Sequence, residues 1–202
     1  MIEDEFINVV GRYNSDAGET TKLWREIQSS YSEASRHYHT LEHIENLLNE
    51  LLPVRTAFTE WPVVVFAIVY HDIIYKASKN NNEEKSAELA VKRLKSISVP
   101  IELIGRCNDF ILATKRHEPV DEEIDLFTDA DLSILGSEPH VYHSYTTQVR
   151  SEYSIYPDLL YKPGRRKVLQ HFLGMEKIYK SEYFRDKYEV AARRNLTWEL
   201  NR

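Results

Sequence analysis

Apolar residues recur along the chain at three- and four-residue spacing, as in Trp24, Ile27 and Tyr31, or Ile44, Leu47, Leu48, Leu51 and Leu52. That period lines one face of an α-helix. Alternation with period two, the mark of a half-buried strand, is scarce. The pattern predicts helices over roughly 2–13, 19–34, 40–52, 60–76, 82–97, 100–113, 122–134, 138–153, 163–178 and 181–200. Pro62 suits the first turn of one helix, and Pro100 and Pro139 suit helix starts. The polar stretch Lys76 to Asn82 (KASKNNN) is rich in turn formers and predicts a loop. No internal repeat at a fixed period points to a solenoid. The expectation is an all-α fold: a single compact helical bundle over residues 1–202.

Composition narrows the class without changing that picture. The 202 residues are 42% hydrophobic and 29% charged, with 6 Gly and 7 Pro, which is ordinary for a globular chain and leaves little room for linkers. The longest apolar run, Val63 to Tyr70, falls short of the roughly 18–20 residues needed to cross a bilayer. The first residues, MIEDEFINVV, are acidic where a secretory signal is basic, so a soluble, cytoplasmic protein with no membrane partner is expected. A single cysteine, Cys107, excludes both an intramolecular disulfide and a thiolate zinc cage, so a bound metal would be held by imidazole and carboxylate. The formal net charge of -6 disfavours nucleic acid and acidic lipid and suits a small substrate. The cations available to an anionic ligand are Arg36, Lys115, Arg116, Lys162, Arg165 and Arg166.

The chemistry concentrates in three places. Arg36 to His43 (RHYHTLEH) carries three histidines, with His39 and His43 four residues apart and so on one face of a helix that runs there. His71-Asp72 ends the apolar run WPVVVFAIVYHD, where buried polar groups need partners. Asp129-Ala130-Asp131 opens onto Leu132, Ile134 and Leu135, so Asp131 can complete a His, His-Asp, Asp set suited to Mn, Ni, Co, Mg, Zn or Fe. His117, in the run ATKRH, is a further candidate for a second metal or, with Lys115 and Arg116, for a phosphate contact.

Each piece also has a plainer reading. His37, His140, His143 and His171 suit surface positions. Asp129 and Asp131 suit a helix start. Glu83, Glu84, Lys85 and Glu88 suit a solvated helix face. Arg150, Tyr153, Tyr156, Tyr161, Arg165 and Arg166 suit either a nucleotide pocket or core and interface packing.

The order His43, His71-Asp72, Asp131 resembles the signature of the HD superfamily. The Tyr38-His39-Thr40-Leu41-Glu42-His43 segment is similar to the Tyr-His-x-x-x-His segment of cyclic nucleotide phosphodiesterases, although His39-Thr40-Leu41 also resembles the His-Ser-Leu first-ligand segment of other HD proteins. From Trp24 onward the chain is similar to a family of small bacterial HD proteins assigned metal-dependent phosphohydrolase chemistry. The marks are RHYHTLEHI, YHDIIY, NNEEKSAELA, the Asp129–Gly136 run, YPDLLYKPGRRKVL and ARRNL. It departs from the phosphodiesterases in having no second histidine beside His71-Asp72 and none of their extended pocket features.

The resemblance implies an HD-type domain with a metal-binding core over about 24–136 and a C-terminal helical extension over about 137–202. It implies one or two divalent cations on His43, His71, Asp72 and Asp131, with His43 favoured over His39 as the first ligand. His39 would be a proton donor to the leaving group. Glu83 and Glu84 are candidates to orient water or substrate. The implied function is metal-dependent hydrolysis of a phosphoester or phosphoanhydride in a small nucleotide-like substrate. The alternatives are a non-catalytic module that senses a nucleotide or metal, and an oxidative di-iron enzyme, for which His117 is the one additional ligand. Substrate, metal identity and homo-oligomerisation are left open.

Overall fold

Ten consecutive residues, Trp61 to Tyr70, are all buried. A helix apolar on every side must lie inside its neighbours rather than against one of them, and the rest of the chain is arranged around it. In the computed structural model, which describes residues 1–202, the chain forms ten α-helices and no strand. In order they are α1 (Ile2–Val10), α2 (Ala17–Tyr31), α3 (Leu41–Leu51), α4 (Trp61–Tyr70), α5 (Asn82–Ser96), α6 (Ile101–Ala113), α7 (Glu122–Asp131), α8 (Pro139–Glu152), α9 (Asp158–Gly174) and α10 (Glu182–Leu200). Two 3-10 helices, Leu52–Ala57 and Leu132–Gly136, follow α3 and α7. The all-α expectation holds. One continuous apolar core runs from Ile2 to Leu196, with α4 packed against α1, α3, α5 and α6, and α10 against α9 and the second 3-10 helix. No helix is long and apolar enough to cross a membrane.

The termini follow local chemistry. Asp16 accepts from the N–H groups of Gly18 and Glu19 at the start of α2, Asp121 from Ile124 at α7, and Ser181 from Phe184 at α10. Pro62 and Pro139 sit in the first turns of α4 and α8, where their missing N–H leaves no helical bond unmade. Two expected boundaries change. The helix expected over 60–76 stops at Tyr70, and the chain turns through His71 and Asp72. Buried Arg36 donates from Nη1 to the Asp72 carbonyl (2.7 Å) and from Nη2 to that of Ile73 (2.8 Å), closing the end of the turn with a cation. Arg36 is therefore a structural clamp rather than a free anion-binding group. The helix expected to open at Pro163 instead opens at Asp158 and passes through Pro163. The carbonyl that loses its bond is that of Leu159, a residue 84% exposed, where water replaces the missing donor.

The Asp129-Ala130-Asp131 run divides its two acids between different tasks. Asp129, wholly buried, accepts from the N–H groups of Lys180 (3.0 Å) and Ser181 (2.7 Å) and from the Ser181 hydroxyl (2.7 Å), and is ion-paired with Lys180 Nζ at 2.8 Å. It anchors the entry of α10 to α7. Removing one partner of a buried ion pair leaves the other uncompensated, so Asp129→Ala should cost about 3–5 kcal/mol, read as a lowered urea midpoint, while metal binding by the folded variant persists.

Candidate metal centre

The ends of three helices meet at one point. His43 projects from the second half-turn of α3, His71 and Asp72 follow the end of α4, and Asp131 is the last residue of α7. His43 and His71 are 6% and 1% exposed. Their Nε2 atoms lie 3.0 Å apart. Asp131 Oδ1 is 3.4 Å from His43 Nε2 and 3.6 Å from His71 Nε2. Asp72 Oδ2 is 3.3 Å from His71 Nε2 and 3.8 Å from His43 Nε2. The tightest set is His43, His71 and Asp131, whose donor atoms all lie within 4.8 Å of one another, with Asp72 closing one side.

This donor set fits a metal ion. A cation about 2.0–2.2 Å from each nitrogen and oxygen requires donors about 3.0–3.6 Å apart, the spacing found here. The His71 Nδ1–H donates to the Ile68 carbonyl at 2.9 Å, so the neutral ring presents its Nε2 lone pair to the cluster. His43 is the first histidine of the set. His39, its rival in the sequence, has Nε2 3.8 Å from Asp72 Oδ2 and Nδ1 bonded elsewhere.

The electrostatics have one cause, the confinement of opposite charges away from water. Burial alone disfavours imidazolium at His71, but Asp72 and Asp131 outweigh it and raise the ring to about 9. Burial likewise opposes ionisation of Asp131, yet the bond to His43 and the charge on His71 bring it down to about 2. Asp72 is held well below the usual carboxylate range against its burial, chiefly by His71 and His39. His43 moves down because burial dominates. Protons fill the role that a divalent cation would take.

His39 is positioned by a residue that the sequence reading did not single out. Glu152, the last residue of α8, has a fully buried side chain. Its Oε1 accepts from the backbone N–H groups of His37 (2.8 Å), Tyr38 (2.8 Å) and His39 (2.9 Å). Its Oε2 accepts from His39 Nδ1–H at 2.7 Å and from the Tyr75 hydroxyl at 3.0 Å. The Tyr75 ring stacks on the His39 ring at 4.1 Å between centroids. His39 Nε2 is thereby aimed toward Asp72. The available signal was Glu152 standing on the buried stripe of α8 with Tyr142 and Val149, where a carboxylate needs a partner.

The remaining candidates separate. His117 has φ of 53°, a left-handed conformation that brings Nε2 to 3.9 Å from Asp131 Oδ2. Glu83 lines the cavity above the cluster. Glu84 is ion-paired to Lys115, which also donates to the Asn80 carbonyl at 2.7 Å. Arg116 is exposed and lines a different depression with Asp109 and Glu118, so the Lys115-Arg116 pair does not form an anion site at the cluster. Arg166 donates to the Leu200 carbonyl at 3.3 Å. Above the donors, α8 and α9 close a cavity of about 570 Å³ that also reaches Tyr75, Tyr145, Tyr153, Tyr156 and Tyr161. Compared with protein-family models, curated proteins and solved structures, the chain matches none.

Purified protein incubated with Mn, Co, Ni, Zn or Fe should retain about one or two ions per chain, and Asp131→Ala should retain none while keeping its helical circular dichroism. Because the His71 ring stands at about 9 in the metal-free protein, it carries a proton at neutral pH that a cation must displace. Titration calorimetry in buffers of different ionisation enthalpy should therefore show proton release at pH 7, and affinity should fall as pH is lowered.

Proposed function

We propose that the protein is a metal-dependent phosphohydrolase of the HD type, cleaving a phosphoester or phosphoanhydride in a small nucleotide-like substrate. The observation that carries this reading is the convergence of His43, His71, Asp72 and Asp131, of which His71, Asp72 and Asp131 line one ligand-sized cavity together with a second, separately held histidine, His39. The order of these residues along the chain, which resembles the HD signature, supports the assignment.

His43, His71, Asp72 and Asp131 would hold the cation. When bound, it supplies activation of a water molecule and neutralisation of phosphoryl charge. The chain's own residues do the rest. His39 carries the proton at Nε2, because Nδ1–H is committed to Glu152 at 2.7 Å, and can deliver it to a leaving oxygen near Asp72. Glu152 and Tyr75 hold the ring in that orientation from below and beside it. Glu83, half-buried on the cavity wall, is available to orient water or substrate. Burial opposes the charge on Glu152, but His39 first and then the backbone N–H groups around it bring it down to about 2.

Metal-loaded protein should hydrolyse at least one member of a panel of aryl phosphates and nucleotides. His39→Gln should keep its metal and lose about 10²- to 10⁴-fold in kcat, the usual range for a proton donor. Asp72→Ala should lose metal and turnover together. Full activity in His39→Gln would remove the proton-donor role. Stoichiometric metal with no turnover of any compound would favour a sensing module instead.

Burial opposes the charged form of His39, but Asp72 and Glu152 raise the ring above its ordinary value. As the proton donor it is active when protonated, so kcat should decline on the alkaline side of that raised value. Glu152→Gln removes one of the supporting charges, lowers the pKa of His39 and should move the alkaline limb to lower pH, as a pH–rate profile would show.

A further inference from the structure

The cavity above the metal donors is poor in free cations. Two basic residues line it, Lys79 and Arg165. The Arg165 guanidinium is engaged by Glu199 through two parallel bonds, Nε to Oε1 at 2.7 Å and Nη2 to Oε2 at 2.9 Å, and it lies over the Tyr145 ring at 5.4 Å. Its fork is already filled, so it offers a phosphate neither bidentate contact nor net charge. Lys79 makes no ion pair. On the other side of the balance stand Asp72, Glu83 and Asp131. A divalent cation would offset Asp72 and Asp131, and Lys79 would offset Glu83. These charges then cancel, which leaves no surplus of positive charge for a second or third phosphate. A polyphosphate chain needs several further cationic contacts in a row, and beyond Lys79 and the engaged Arg165 no Lys or Arg lines the cavity.

The wall away from the donors has a different character. Tyr153 and Tyr161 stand 5.8 Å apart between ring centroids, and Tyr153 and Tyr156 stand 6.3 Å apart. Val149, Leu160 and Val168 line the same cavity. Flat rings and branched aliphatics in a cavity of about 570 Å³ suit a flat, uncharged body of nucleoside or smaller size. A small open-chain polyol would leave the ring faces and branched aliphatics of this wall uncovered.

Resting on the phosphohydrolase reading, we propose that the substrate is a phosphomonoester whose alcohol part is a flat aromatic group, a nucleoside or an aryl alcohol, bound against the rings of Tyr153, Tyr156 and Tyr161. Di- and triphosphates and small polar phosphate esters are disfavoured. Only the monoester phosphoryl group faces the metal donors, and the aromatic part lies along the tyrosine wall.

The test uses the full-length protein loaded with Mn and four compounds: adenosine monophosphate, adenosine triphosphate, 1-naphthyl phosphate and glycerol 3-phosphate. Specificity constants for at least one aromatic monophosphate should exceed that for glycerol 3-phosphate by about 5- to 100-fold, the range of one aromatic stacking contact. Adenosine triphosphate should fall below adenosine monophosphate. The two aromatic arms distinguish a nucleoside from an aryl substrate. Tyr161→Ala and Tyr153→Ala should each narrow the aromatic-to-glycerol ratio, with urea midpoints recorded to show that the variants are folded.

Calorimetric titration of the same compounds into the same Mn-loaded protein separates this inference from the one beneath it. The same rank order in binding without turnover supports the pocket assignment and removes the hydrolase. Turnover or binding that favours the triphosphate, that treats glycerol 3-phosphate equally, or that is insensitive to both tyrosine substitutions overturns the pocket assignment. Absence of binding by all four compounds overturns it too.

Discussion

Two imidazoles and two carboxylates brought within hydrogen-bonding reach of one another inside a helical bundle impose the constraint on which the rest of this structure depends. Charged groups removed from water are tolerated only when paired or bound to a cation. Here the pairing is shared: against their burial, His71 is driven up to about 9 chiefly by Asp72, and Asp131 down to about 2 chiefly by its bond to His43 and the charge on His71. Such a cluster can be held only by rigid elements, and the chain uses the ends of α3, α4 and α7. The wholly apolar α4 matters most. With all ten residues buried, it cannot slide or rotate without losing core contacts on every side, so the His71-Asp72 pair at its end is fixed by the whole core. Arg36 completes the arrangement by tying the carbonyls of Asp72 and Ile73 to the segment that carries His39, whose carbonyl it also reaches at 3.3 Å.

Glu152 extends this constraint into the C-terminal part of the chain. Its carboxylate gathers three consecutive backbone N–H groups, one imidazole and one phenol. A loop of irregular backbone such as 37–39 needs its donors satisfied when it is covered, and α8 supplies the acceptor. The cover and the loop are thus mutually dependent. The same contact sets which nitrogen of His39 faces the donors, so folding of the C-terminal helices and orientation of the proposed proton donor are one event.

What could be read from the sequence follows from how local the physics is. Helix periodicity is local, and the predicted helices correspond one for one to α1 through α10. The donor set was legible because its members interrupt apolar runs or stand at their ends, as His71-Asp72 and Asp131 do. The choice between His39 and His43 was not, since both fall on one side of the same short segment and only the distant Glu152 separates them. The anion-binding candidates failed for a related reason. Arg36, Lys115, Arg165 and Arg166 look free in a sequence, but their partners lie far along the chain: Asp72 and Ile73, Glu84, Glu199 and Leu200. Pro163 misled in the opposite direction, because a proline usually opens a helix and here passes within one whose outer face is wet.

The distribution of burial assigns different degrees of freedom to the two halves of the site. The metal donors sit on elements embedded in the core, where a change of one methylene is felt. One side of the cavity wall is drawn from α9, whose seventeen residues contribute one buried side chain, Leu169. Leu159 and Leu160 on that helix are 84% and 62% exposed. Substitutions along α9 therefore disturb the core little, while each of Leu160, Tyr161, Arg165 and Val168 meets whatever occupies the cavity. A scaffold built this way keeps its donor geometry constant and leaves the shape and polarity of its pocket open to change. The tie from Arg165 to Glu199 limits that freedom at one point: it anchors α9 to α10 through a pair that is 13% exposed on each side, and in doing so removes from the pocket the one guanidinium that lines it.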